Sequence, residues 1–261
     1  MSFKRMAVGI LLFVFLYGVN TAFLFAQNSP QEAPGQLFEK ANDLYRTAKY
    51  DEASDAYEQI ARLGFVNGNL YYNLGNSYFK KGEIGKAILN YERARQFMPY
   101  DSDLKANLAH AGSLVNTNAL QHSANRVLRW FDSLTQGFSI NGVTVFLSLL
   151  FVCFFVLLIC QIFIPVVRKY TMVMASCIVI FLLAGAFSLY RKIDYLNKGA
   201  VVIVKETQVR FEPSENATAY FTLPQGSRVE VIDVSVHWYK IKRPDYKVGW
   251  VDKTAIELIR Q

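Results

Sequence analysis

The sequence predicts a multidomain chain: an all-α repeat array, then a two-helix transmembrane hairpin, then a small all-β barrel. Three observations carry that prediction. Small and aromatic residues recur at a spacing of 34 between positions 36 and 101. Two long runs free of charge occupy residues 143–167 and 171–190, with Arg168-Lys169-Tyr170 between them. Beyond residue 199, short β-rich runs broken by turn formers replace the helical periodicity.

Composition narrows the function classes. The 261 residues are 52% hydrophobic with a formal net charge of +7. That positive balance is dispersed, and no clustered basic face of the kind nucleic acid requires is visible, so no nucleic-acid partner is expected. All three cysteines, Cys153, Cys160 and Cys177, lie inside the apolar runs and read as small lipid-compatible hydrophobes. His110, His122 and His237 are far apart and make no metal-ligand spacing. There is no G-x-S-x-G, P-loop or paired-cysteine zinc motif. The expectation is therefore a non-enzyme with no catalytic residue, no metal and no cofactor.

The N-terminus has the build of a secretory signal over residues 1–26. Lys4 and Arg5 form its basic start, residues 6–25 are largely apolar, and Ala26-Gln27 offers a cut. Leu24, two before Ala26, is larger than the usual preference, so cleaved signal and uncleaved anchor both stand. Residues 27–35 form a polar linker.

The repeat region follows. Tyr71, Leu74, Gly75 and Tyr78, then Ala87, Tyr91 and Pro99, fit the tetratricopeptide pattern, and a shift of 34 lands on Leu37, Ala41, Leu44, Ala53 and Tyr57. Gly75, Ala41, Ala87 and Ala53 sit where paired helices cross too closely for a larger side chain, and the tyrosines fill the groove beside them. Pro99 ends a helix. Residues 36–117 thus resemble two tetratricopeptide repeats plus a capping helix at residues 103–115, which would cover the apolar face of the last unit.

The resemblance implies a concave face, formed by the first helix of each pair, that holds a protein partner. By position it comprises Phe38, Asn42, Tyr45, Arg46, Tyr72, Asn73, Asn76, Phe79 and Lys80. Asn42 and Asn73 coincide with the asparagines that the carboxylate-clamp subclass uses on a peptide. Phe38, Asp103 and Asn107 stand where that subclass carries cations, so a full clamp is not expected.

Residues 118–142 place Leu120, Ala124, Val127, Leu128, Phe131 and Leu134 on one helical face, with His122, Arg126 and Arg129 off it and Trp130 nearby. Two readings stand: an amphipathic helix on the lipid surface, or a helix packed on the array. The hairpin comes next. A helix needs about 20 apolar residues to span a bilayer, and both runs suffice. The short link makes them antiparallel, so the chain before 143 and after 190 shares one compartment. The signal directs that compartment to the periplasm and leaves Arg168-Lys169 in the cytoplasm. The flanking Arg126, Arg129, Arg191 and Lys192 do not set the orientation, since they fall on the outer side.

A short basic connector (191–198) leads to the barrel at residues 199–261. Strands are expected at 200–205, 208–211, 219–223, 228–234, 238–242 and 248–251. Val209-Arg210 with Pro213-Ser214, the turn Leu223-Pro224-Gln225-Gly226, Trp238-Tyr239-Lys240-Ile241 and Gly249-Trp250-Val251 resemble the motifs of a bacterial SH3-type barrel. Phe211-Glu212 departs from the small residue and glycine usual in the first of them. The resemblance implies that Trp238, Tyr239 and Trp250 line a partner or ligand groove.

The order of parts is similar to the BatE-type tetratricopeptide proteins of the Bat (Bacteroides aerotolerance) group. That resemblance implies an inner-membrane component of a stress-tolerance complex, with membrane-anchored von Willebrand A-type proteins as partners. Two functions follow as expectations: a protein-protein interaction scaffold, or an anchored module that binds cell-wall peptidoglycan through the barrel. The lipid bilayer is a partner in both.

Overall fold

The computed structural model describes residues 33–115, 140–163 and 168–260. The expected signal, residues 27–32 of the linker, the amphipathic segment up to residue 139 and residues 164–167 at the end of the first apolar run lie outside the described residues, whereas the expected link at 168–170 is itself helical.

Among the described residues, five helices build the array: α1 (Ala33–Arg46), α2 (Tyr50–Arg62), α3 (Gly68–Lys80), α4 (Ile84–Phe97) and α5 (Ser102–Leu114). α1/α2 and α3/α4 are the two repeat units, and α5 stands as the first helix of a third. The 34-residue period extends to the helix ends. Asn67 caps α3 by accepting from the Leu70 amide at 2.9 Å, and Asp101 caps α5 by accepting from the Leu104 amide at 2.7 Å. Inside the second unit, a Cβ on Gly75 would stand 2.6 Å from the Tyr91 ring. Only glycine lets α3 and α4 approach that closely, as its place in the pattern predicts.

α6 (Ile140–Phe163) and α7 (Arg168–Lys198) are long and apolar enough to cross a membrane. They pack on each other where Gly185 meets Leu147 with no room for a Cβ. Few side chains in either apolar stretch are buried, and Leu149 and Leu183 are among those left exposed. Core helices of a soluble protein would hide these side chains. Cys153 and Cys177 are free thiols on this exposed surface.

The stretch 191–198, expected as a connector, continues α7 as helix. No proline or glycine interrupts it, Lys198 pairs with Asp194 at 2.6 Å one turn back, and Leu196 is buried. Helix passes directly into strand at Gly199, where a Cβ would meet the Tyr195 carbonyl at 2.5 Å.

Seven antiparallel strands form the barrel: β1 (Gly199–Val202), β2 (Glu206–Arg210), β3 (Ala219–Pro224), β4 (Arg228–Val234), β5 (Trp238–Lys242), β6 (Val248–Asp252) and β7 (Ile256–Leu258), in the order β3-β2-β6-β5-β4-β1-β7. Six were expected. β7 is three residues long and follows a 3-10 turn that Asp252 caps through the Thr254 amide at 2.7 Å.

β1 is buried on both faces. Ala200 and Val202 face the barrel core, whereas Val201 joins the helical core with Leu196, Ile259 and the array residues Ile88 and Leu89. That double burial explains why this stretch reads as continuous Ala-Val-Val and does not alternate with polar residues. Array and barrel therefore meet in a shared apolar layer to which β1 gives one face, while the barrel keeps a core of its own on the other.

Candidate interaction surfaces

The first-helix face of the array carries a repeated hydrogen-bond unit. Tyr57 Oη on α2 donates to Asn42 Oδ1 on α1 at 2.6 Å, and Asn73 Nδ2 on α3 donates to the same oxygen at 3.1 Å. One unit later, Tyr91 Oη donates to Asn76 Oδ1 at 2.8 Å, and Asn107 Nδ2 on α5 donates to it at 3.1 Å and to Tyr72 Oη at 3.0 Å. The side-chain carbonyls of Asn42 and Asn76 are thus each saturated by the fold, which fixes the orientation of these amides. The Nδ2 donors of Asn42 and Asn76, and the Oδ1 acceptors of Asn73 and Asn107, take no hydrogen bond among the described residues. They form a row of amide groups along three successive first helices, of the kind that pairs with a peptide backbone.

Aromatic rings flank this row. Phe38 packs edge-on against Tyr57 with ring centroids 5.7 Å apart, and Tyr72 lies 6.1 Å from Tyr91. Tyr45 meets Tyr50 at 5.3 Å and Phe79 meets His110 at 5.4 Å. Burial pushes the Tyr57 hydroxyl up to about 12 and raises those of Tyr91 and Tyr45, so all three stay neutral donors at neutral pH. Arg46 is held by its own helix through Asp43 at 2.7 Å, while Lys80 is exposed.

Of the nine expected residues, Asn42, Asn73, Asn76 and Tyr72 share this hydrogen-bond network, and the asparagines are half engaged by the fold. Tyr57, Tyr91 and Asn107 belong to the same network and were not expected in it. The tyrosines read as groove-filling bulk, because spacing reveals a ring and not the partner of its hydroxyl. The 34-residue intervals between Asn42 and Asn76 and between Asn73 and Asn107 were the available signal.

On the barrel, the expected groove splits. Trp250 pairs with Lys240 and Trp238 with Asp252 across β5 and β6, which sets Trp238, Lys240 and Trp250 on the outer face. Tyr239, one residue along β5, takes the opposite face. It packs against the barrel core, with Lys253 Nζ 5.1 Å from its ring centroid. Strand alternation separates the two neighbours, so Trp238 and Trp250 alone share the surface. Arg210 pairs opposite Trp250 on its other side, and Lys240 Nζ lies 5.6 Å from the Trp250 ring centroid. The outer surface is aromatic and cationic, suited to acidic or carbonyl-rich ligands.

The array and barrel meet through α4. Buried Glu92 forms ion pairs with Arg95 at 2.6 Å and with Arg228 of β4 at 2.5 Å. Buried Arg93 donates to the Ile259 carbonyl at 3.0 Å, to the Leu258 carbonyl at 2.8 Å and to Glu257 at 2.8 Å. Gly226, with φ of +74°, brings its turn against Ile88 and Val115. This contact uses β1, β7 and its exit at Ile259, and the start of β4 with the turn before it. It leaves the first-helix face of the array and the β5–β6 face of the barrel outside it.

Two segments match known families. Residues 68–101, the α3/α4 unit, match the tetratricopeptide repeat. Residues 205–257 match the bacterial SH3 domain. Both are interaction modules. The α1/α2 pair repeats the geometry of the matched unit one period earlier, and the fold is a tetratricopeptide-type array joined to an SH3-type barrel.

Proposed function

We propose that this chain is a non-enzymatic interaction scaffold anchored in the bacterial inner membrane, with array and barrel both in the periplasm. The observation that carries the reading is the α4 junction. It fuses two recognition modules into one body through a shared apolar layer and buried ion pairs while leaving the binding face of each outside the contact. α6 and α7 serve as the antiparallel anchor. The shared apolar layer supports the one-sided arrangement, because modules separated by a bilayer have no such layer in common.

In this reading the array holds an extended segment of a protein partner. The amide row of Asn42, Asn73, Asn76 and Asn107 pairs with its backbone, and Phe38, Tyr45, Tyr72 and Phe79 hold its side chains. The order of parts supports a stress-tolerance assembly of the Bat type, whose von Willebrand A-type membrane proteins are the first partners to seek. Affinity purification from solubilised membranes tests this. The Asn73→Ala/Lys80→Glu chain loses the partners that the parent chain recovers. Equal recovery by both chains contradicts the reading.

A second reading rests on Trp250 between Arg210 and Lys240: the barrel face binds the acidic peptides of the cell wall. Cosedimentation of the full chain with purified peptidoglycan, lost on Trp250→Ala, supports it. A parent chain that stays in the supernatant removes it.

A further inference from the structure

The partners of α4 change in order along its length. Gly85 lies against the Val202 carbonyl, Glu92 pairs with Arg228, and Arg95 lies beside Tyr195, with Lys192 the next charge in reach. Arg228 is the register partner of Val201. As residue numbers rise in α4, they fall through β1 and back along α7, so the C-terminal end of α4 points toward the uncharged run of α7 that ends at Tyr190. A helix rises about 1.5 Å per residue. Phe97, two residues past Arg95, therefore stands about two residues beyond Tyr195, near Ile193 and within one turn of Tyr190, where the uncharged run ends.

That end of the array exposes large apolar side chains. Phe97 is 45% and Tyr100 72% exposed. One period earlier, on the equivalent loop between units, Leu63 is 57% and Val66 44% exposed. The same edge carries Arg62, and α7 brings Arg191 and Lys192 to the same level. Aromatic and aliphatic tips with cations beside them, at the level where a spanning helix leaves the hydrocarbon, match the chemistry of a lipid headgroup interface.

We propose that the inter-unit loop edge of the array, Leu63 and Val66 with Phe97 and Tyr100, rests in the headgroup layer of the bilayer that α6 and α7 cross. The array then touches the membrane directly and is oriented by it, beyond its tether through α6. The proposal rests on α6 and α7 spanning the bilayer.

The test uses the full chain in phosphatidylethanolamine/phosphatidylglycerol proteoliposomes, with the three native cysteines replaced by alanine. Single cysteines at Leu63, Tyr100, Leu183 and Val236 carry an environment-sensitive fluorophore. Leu183 reports on the spanning segment, and Val236 is an exposed barrel position. Doxyl-labelled lipid should quench the labels at 63, 100 and 183, and aqueous iodide should quench the label at 236. If 183 is quenched by lipid but 63 and 100 behave like 236, the loop edge is in water and the proposal falls alone. If 63 and 100 resist both quenchers, a protein surface covers them and the proposal also falls. If 183 escapes lipid quenching, the spanning reading fails and takes the proposal with it. A labelled chain that melts well below the parent is replaced by the same label at Val66.

Discussion

Asn42 and Asn76 occupy the same place in successive units, and each accepts from a buried tyrosine and from the asparagine of the next first helix. Tyr57→Phe removes one such bond and should cost about 1 kcal/mol in chemical denaturation at neutral pH. The pH dependence has a definite sign. The Tyr57 hydroxyl titrates near 12 in the fold, against an ordinary value of 10.0. Its stabilisation is fully present below pH 10 and is lost as pH rises toward 12, because the unfolded chain ionises first. The parent and Tyr57→Phe chains should therefore converge in stability above pH 10. A constant difference between pH 8 and 11.5 would contradict this account of Tyr57. A second prediction concerns the turn between α1 and α2. Ala48 adopts φ of +60°, and Gly82, one period later, takes +79° in the equivalent turn. Ala48→Gly relieves a left-handed conformation that is costly for alanine. Thermal denaturation should show a gain of up to about 1 kcal/mol after the added freedom of the unfolded glycine.

At the scale of elements, α4 and β1 join the two modules. Each is buried on more than one side, by partners remote in sequence. Arg93 spends its donors on two carbonyls and one carboxylate of the last strand and its exit. Arg93→Met should destabilise the full chain by about 3 kcal/mol and split its single melting transition into separate array and barrel transitions. An unsplit transition at the parent temperature would show that the junction is dispensable. The same elements mark where the sequence was legible. The 34-residue period exposed both helix pairs, the uncharged runs exposed α6 and α7, and alternation with turns exposed six strands. What escaped was set by contacts between distant residues. The charged run Arg191–Lys198 gave no sign that Leu196 would be buried and the helix prolonged. Nothing in the local pattern of Glu92 and Arg93 distinguished a buried junction from an ordinary solvated helix face. Trp238 and Tyr239 were grouped by adjacency, although a strand sends neighbours to opposite faces.

For the whole molecule, the proposed arrangement is a membrane hairpin carrying one rigid body with two binding faces. Reporter fusions check its topology. A periplasmic-type reporter should be active after Arg260 and inactive between Phe163 and Arg168, and activity at the second position would reverse the orientation. The central claim is that the α4 junction holds array and barrel as one body. Spin labels at Lys80→Cys on α3 and Val236→Cys on the barrel, in the full chain lacking its native cysteines, test it through the distance distribution by pulsed electron resonance. The account predicts a single narrow distribution in the parent that broadens in the Arg93→Met chain. A broad distribution in the parent would mean that the two modules move independently, and would contradict it.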